Sequence, residues 1–196
     1  MPPEYYALEG EHLILKLIAR RDQLKAAADE FYNWVSKYVD VYCSDKDEFV
    51  EVNRSNDLCT EISIYKKENS TGDKKGLPIY YRVLKNNFTD EVRIFLLGDD
   101  DTALVTGEVD EGIRVIIVGG EGKDKLIDSS RVNGYFWGIT PIPSAKTKTE
   151  FYDSGNKTQF VETTGTYINK NKYEQSDDEQ EKYEPVIEDR YRDYGV

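Results

Sequence analysis

The chain has 196 residues, with 26 Lys and Arg against 38 Asp and Glu and a net charge of −12; this disfavours a nucleic-acid partner, because phosphate binding needs a basic face that releases counterions. No apolar run reaches the roughly 18–20 residues that span a bilayer as a helix, and Met1-Pro2-Pro3-Glu4 lacks the charged and apolar regions of an export signal. The length suits one domain, or one domain with a tail, and is enough to bury a real core.

The first element is a long helix over 10–39. Leu13, Leu17, Arg21, Leu24, Ala28, Phe31, Val35 and Tyr38 recur at three- and four-residue steps with no proline between them. At 1.5 Å per residue it makes a rod of about 45 Å, expected to pack along a sheet. From Asp47 the period changes to two. Phe49, Val50 and Val52 lead into the turn Ser55-Asn56-Asp57, and Cys59, Ile62, Ile64 and Tyr65 form the return strand. After a polar loop, Ile79 to Leu84 resumes as a third strand, so 47–86 reads as an antiparallel meander.

The next stretch says nearly the same thing twice. Val92 to Gly98 is echoed by Ile113 to Gly119, and each half runs through an acidic or Gly-rich corner into a shorter apolar segment. Such self-similarity predicts a short parallel β-solenoid of about two coils over 91–130, each coil hiding an apolar row that it cannot bury alone. Strands apolar at successive positions suit cover on both faces, one by the opposite wall and the other by the long helix. The expected fold class is therefore α+β, mainly β, with the helix packed on a meander that continues into the coils. A hairpin is predicted over 147–162, around Asp153-Ser154-Gly155-Asn156. Lys172 to Val196, rich in Lys, Glu, Asp, Gln and Tyr, reads as an acidic flexible tail or linker beyond a domain over 1–171.

One motif carries a candidate chemistry. Gly119-Gly120-Glu121-Gly122-Lys123-Asp124-Lys125-Leu126-Ile127 matches the calcium-binding nonapeptide G-G-x-G-x-D-x-U-x, in which glycines turn carbonyls inward and an aspartate offers a hard oxygen. Paired with the corner Asp99-Asp100-Asp101, it makes Asp99, Asp101 and Asp124 the candidate calcium ligands; the competing reading is a tight corner where glycine serves geometry alone. No other cofactor is implied. No catalytic residue is assigned: His12 is the single histidine and has no nucleophile motif beside it, and neither a phosphate-binding loop nor a dinucleotide fingerprint is present. Cys43 and Cys59 are too few for a zinc site; a disulfide and two separate thiols both remain open.

The order of parts also carries a resemblance. Pro2-Pro3-Glu4-Tyr5-Tyr6, the helix with Arg20-Arg21-Asp22-Gln23-Leu24 and Ala27-Ala28-Asp29-Glu30-Phe31-Tyr32, the corner Leu97-Gly98-Asp99-Asp100-Asp101, then Val118 to Asp124 and Ile127-Asp128-Ser129-Ser130, resemble a segment of large Gram-negative outer-membrane proteins. In that family the segment lies between a calcineurin-like metallophosphoesterase domain and a C-terminal surface-antigen-type β-barrel. The duplicated coil, the single histidine and the acidic tail point to a non-catalytic accessory domain, and the resemblance implies that it belongs to a cell-envelope protein. It would be periplasmic or outer-membrane-associated, with neighbouring domains of the same polypeptide or envelope proteins as partners and no direct insertion of this segment into the membrane. The family's metal ligands and barrel strands have no counterparts here, so neither activity carries over. Asp99 stands where that family often has glycine. Calcium-stabilised binding by one degenerate site is the alternative function.

Overall fold

The computed structural model describes residues 2–68, 70–136, 140–142, 148–155, 157–174 and 192–193. A short helical turn, α1 (Pro3–Tyr5), passes through a π turn (Tyr6–Gly10) into α2 (Glu11–Val35). The strands that follow are β1 (Tyr38–Tyr42), β2 (Glu48–Asn56), β3 (Cys59–Lys67), β4 (Lys74–Lys85), β5 (Glu91–Leu97), β6 (Thr102–Thr106), β7 (Glu108–Val109) and β8 (Arg114–Gly120). After them come β9 (Lys125–Asp128), β10 (Arg131–Val132), β11 (Gly134–Phe136), β12 (Thr140–Ile142), β13 (Thr149–Tyr152), β14 (Gln159–Val161), β15 (Thr166–Asn169) and β16 (Arg192–Asp193). The class is α+β, mainly sheet.

Two six-stranded sheets share one core. The first runs β15-β13-β8-β5-β1-β16, parallel apart from the antiparallel β16. The second runs β14-β9-β6-β2-β3-β4, parallel from β14 to β2 and antiparallel through β3 and β4. The two self-similar segments pair strand on strand: Val92 lies beside Val115 in one sheet and Ala103 beside Leu126 in the other, with the same offset along the chain in both. Side chains of like shape therefore fall into rows. Val39, Val92 and Val115 make one row and Val41, Ile94, Ile117 and Phe151 a second, facing Val50, Ala103 and Leu126 from the other sheet in a single buried cluster. Each of these side chains is fully enclosed, which for the Val, Leu, Ile and Phe among them is worth about 1.5–3 kcal/mol relative to exposure.

Several expectations change. The meander is present as β2-β3-β4, and β2 is also its junction with the parallel strands. The helix does not pack on it. No residue of α2 is buried, and its last turn touches the body through the edge of Tyr32 on Phe88, with ring centroids 5.7 Å apart. The helix also stops at Val35, and Tyr38 and Val39 belong to β1. Helical spacing continues by coincidence into a segment whose alternating Val39 and Val41 select a strand.

The hairpin expected over 147–162 is absent as such. β13 lies between β8 and β15 in the first sheet, whereas β14 lies beside β9 in the second. The turn Asp153-Ser154-Gly155 therefore carries the chain from one sheet to the other, as the earlier corners do. A hairpin does form from β11 and β12. Of the expected tail over 172–196, residues 172–174 and 192–193 are described: the Tyr173 ring packs edge-on against Phe95 and Tyr152, at centroid distances of 5.8 and 5.0 Å, and β16 pairs with β1. The remainder of that segment lies outside the described residues.

Candidate functional site

The corners between the two sheets hold the acids singled out by the sequence. At the inner side of this corner, Glu48, Asp101 and Asp124 occupy equivalent places in successive units, and each is at most 2% exposed. Asp101 and Asp124 accept from backbone amides. The Glu48 amide donates to Asp101 Oδ1 at 2.8 Å, and the Asp101 amide donates to Asp124 Oδ1 at 3.0 Å. Asp124 Oδ2 also accepts from the Gly120 amide at 3.3 Å. In the next unit Thr158 takes the corresponding place, and its hydroxyl donates to Asp153, which also accepts from the Gly155 amide. The carboxyls of Asp101 and Asp124 thus satisfy amides that a sharp corner would otherwise leave without a partner, whereas Glu48 Oε1 accepts from the Ser44 hydroxyl.

Burial so near other acids shifts these groups. Loss of solvent pushes Asp101 up to about 9, with the charges of Glu48 and Asp124 adding to it and the Glu48 amide opposing it. Asp124 is pushed up to about 6, again mainly by burial, against the two amides it accepts from. Burial, then the neighbouring charges of Asp101 and Glu48, raises the Cys43 thiol well above its ordinary value. Asp101 is therefore a neutral acid at pH 7. Its Oδ2, which has no hydrogen-bond partner among the described residues, is free to carry the proton.

The glycines of the nonapeptide each have a packing role. A Cβ on Gly119 would lie 2.4 Å from Asp153 Oδ2, and one on Gly120 would lie 1.8 Å from the Leu97 carbonyl oxygen. Gly122 has φ +139° and approaches the Asp99 carbonyl so closely that a Cβ would sit 1.9 Å from it. The units come this near only because these positions lack side chains. Of the three candidate calcium ligands, Asp101 and Asp124 stack inside the corner. Asp99 lies on its exposed outer side with φ 65°. Among the described residues, no group of three or more His, Cys, Asp or Glu side chains is arranged to hold a metal ion.

Two outer ladders repeat the arrangement. The Asp100 amide donates to Asp47 Oδ1 and the Lys123 amide to Asp100 Oδ1; the amides of Asp110 and Glu111 donate to Asp57 Oδ1, and Asn133 reaches Asp110. Inside the core, the 1%-exposed Arg54 spreads its guanidinium over the Ile113 and Lys148 carbonyls, at 2.7 and 3.0 Å, and the hydroxyls of Ser130 and Thr149. Burial lowers it to about 10, with Asp128 acting the other way. Sequence reading overlooked Arg54; its signal is a lone charge at an inward position of β2, in phase with Val50 and Val52.

The remaining candidates are dispersed. His12 pairs with Glu9 at 3.4 Å on the exposed helix. Cys43 and Cys59 are separate thiols, the first in the core and the second at the start of β3. On the outer face of the first sheet, Arg114 grips Glu150 through two nitrogens at 2.8 and 2.7 Å and Glu91 at 3.0 Å. A depression of about 490 Å³ beside that face is lined by Phe95, Tyr152 and Tyr173 together with Gly119 and Gly120. No helix among the described residues is long and apolar enough to cross a membrane. No family model, curated protein or solved structure matches the chain.

Proposed function

We propose that this chain is a non-catalytic structural domain, a short parallel β-solenoid whose turns begin at β1, β5, β8 and β13 and whose task is to hold neighbouring parts at fixed separation. One observation carries this reading. The buried ionisable groups Asp101, Asp124 and Arg54 each bond to the backbone of another unit, which supports reading their chemistry as that of fasteners. Rows of like residues at a constant offset support the solenoid reading, since stacking is how a repeat buries what it cannot bury alone.

The cell-envelope setting, beside an outer-membrane barrel and without a nucleic-acid partner, rests on the resemblance of 2–6, 20–32 and the two corners to that family's segment, and on the acidic balance. Calcium-stabilised binding is the second reading, motivated by the nonapeptide match. The isolated chain should show no turnover of generic phosphoester or glycoside substrates with or without divalent metals. Robust metal-dependent hydrolysis that survives repurification would overturn the proposal.

A further inference from the structure

The stack of units ends differently on its two sides. On one side β16 covers β1, and β3 and β4 cover β2; the outermost strand there, β4, carries Lys74, Lys75, Arg82 and Lys85, together with Pro78 and Gly76 at φ +75°. Charge, proline and a left-handed residue are the devices that keep an edge from pairing. On the other side β14 and β15 each have a neighbour on one flank only, among the described residues. Gln159-Phe160-Val161 and Thr166-Tyr167-Ile168-Asn169 hold no charge, proline or glycine, in a chain that is 33% charged. The core is also unfinished at this side. Ile168 lies beside Phe151 in the first sheet and Phe160 beside Leu126 in the second, and both are only partly buried against the cluster. Their backbones point the same way. The Asn169 carbonyl accepts from the Asp153 amide, and the Gln159 amide donates to the Asp124 carbonyl, so both neighbours face inward along the sheet. Peptide groups alternate flanks along a strand, which turns the N–H and C=O groups of Ile168 and Phe160 to the open edges.

We propose that this open end joins a second copy of the chain, with β15 pairing antiparallel with β15 and β14 with β14 about one two-fold axis normal to both sheets. Geometry selects a second copy over an unrelated strand. A single added strand would cover one edge and leave the other open. The two-fold covers both at once, because it reverses strand direction and stacking direction together and keeps the inner faces inside. Phe151, beside Ile168 in register, has its ring 6.4 Å from that of Phe160, so the two edge residues lie across the core from each other, near one axis. In this register Ile168 and its copy exchange both backbone hydrogen bonds and extend the row of Ile117 and Phe151, while Phe160 does the same next to Leu126. Tyr167 then stands opposite Asn169 of the second copy, and no charge on the paired strands meets a like charge. The guarded β4 side does not add further copies, so the assembly closes as a dimer instead of growing into a fibre. Strands of four and three residues are only about 13 and 10 Å long, which makes the contact small and the dimer weak. Such a dimer goes beyond the spacer role proposed above and does not depend on it.

Sedimentation equilibrium of the full chain from about 5 to 500 µM should follow a monomer–dimer curve with dissociation at about 10–100 µM. Amide hydrogen exchange at the two extremes locates the contact: the Ile168 and Phe160 amides should slow by about fivefold at the higher concentration, and those of β4 should not change. Tyr167→Lys sets a charge on the edge at a 50% exposed position, so the circular dichroism should stay the same while the dimer weakens by about tenfold or more. Adding Asn169→Asp, which keeps the oxygen that accepts from the Asn171 amide, places a carboxylate opposite that lysine in the second copy and should restore the dimer. A monomer at every concentration overturns the proposal, as does a dimer that leaves the Ile168 and Phe160 amides unaffected or is indifferent to Tyr167→Lys. Growth beyond two copies rejects the two-fold closure, and failure of the double variant to recover rejects the register.

Discussion

At the scale of single residues, the corner is governed by how closely backbones approach. Gly120→Ala would drive a methyl group to 1.8 Å from the Leu97 carbonyl oxygen, so the neighbouring unit must move. The expected loss is about 3 kcal/mol in urea unfolding, at the upper end of overpacking costs. Gly76→Ala is the control: it has φ +75° and open space around it, so only the left-handed backbone cost of about 1–2 kcal/mol applies.

Asp101 makes a prediction about pH. Its folded value of about 9 lies far above the ordinary carboxylate value of about 3.9, so between those limits the folded state keeps a proton that the unfolded state releases. Stability contributed by this group is full below about pH 4 and is lost as pH rises towards 9. Asp101→Asn keeps an oxygen for the Glu48 amide and removes the titration. The variant should therefore gain on the wild type as pH is raised from 6.5 to 8.5, a window above the Asp124 value of about 6. A wild-type-minus-variant difference that is flat across that window would show that Asp101 is already ionised in the fold.

At the scale of elements, Arg54 ties β2 to the segments before β8 and β13 through the Ile113 and Lys148 carbonyls. Arg54→Met keeps the apolar stem but strips the buried Ile113 carbonyl of its guanidinium donor, leaves the Lys148 carbonyl with the Val115 amide alone, and takes away the cation that faces Asp128. The expected cost is about 3–5 kcal/mol by denaturant melts. The outer-face Arg114, 43% exposed at its side chain, should cost about 1 kcal/mol or less when replaced by Ala, despite its two carboxylate partners.

How much of each element can be read from the residues alone depends on what decides it. The strands of the meander are legible because alternation is a local signal and Asp57 marks the turn, although Ser55 and Asn56, expected in that turn, belong to β2. The end of α2 is not: Val35 and Tyr38 fit the helical stripe, and only the parallel pairing of Val39 with Val92 makes the segment a strand. The reading of an apolar helical stripe as buried fails for a related reason. Periodicity identifies a face that wants a partner without saying whether the partner belongs to the same chain.

At the scale of the whole molecule, the spacing between units explains which repeats are visible. The units that begin at β5 and β8 follow each other with nothing inserted between them, and their likeness is plain. The unit containing β1 and β2 lies much farther upstream because β3 and β4 are inserted after it, and the one containing β13 is set back from β8 because β11 and β12 intervene. Insertions hide the period while leaving the stacking intact. The acids at the corner are legible as a cluster. A glycine-rich acidic turn can serve either a cation or its own amides, and here the amides of Glu48, Asp101 and Gly120 take part of what Asp101 and Asp124 offer.

Calcium provides a global check on that distinction. A site filled at a hundred times its dissociation constant adds about 2.7 kcal/mol, or roughly 5–11 °C in the melting midpoint of a domain of this size. Melts with excess calcium and with chelator should coincide, and a gap of that size would favour the binding module instead.

Amide hydrogen exchange probes the stacking account most directly. The amides of Asp101, Lys125 and Ser129 donate to Asp124 Oδ1, the Asp101 carbonyl and the Val105 carbonyl, bonds that exist only between stacked units. They should exchange solely through global unfolding, together and with the same free energy as the core of β5 and β8. Exchange within minutes at those three positions, while β5 and β8 remain protected, would mean that the units are not fastened to one another as described.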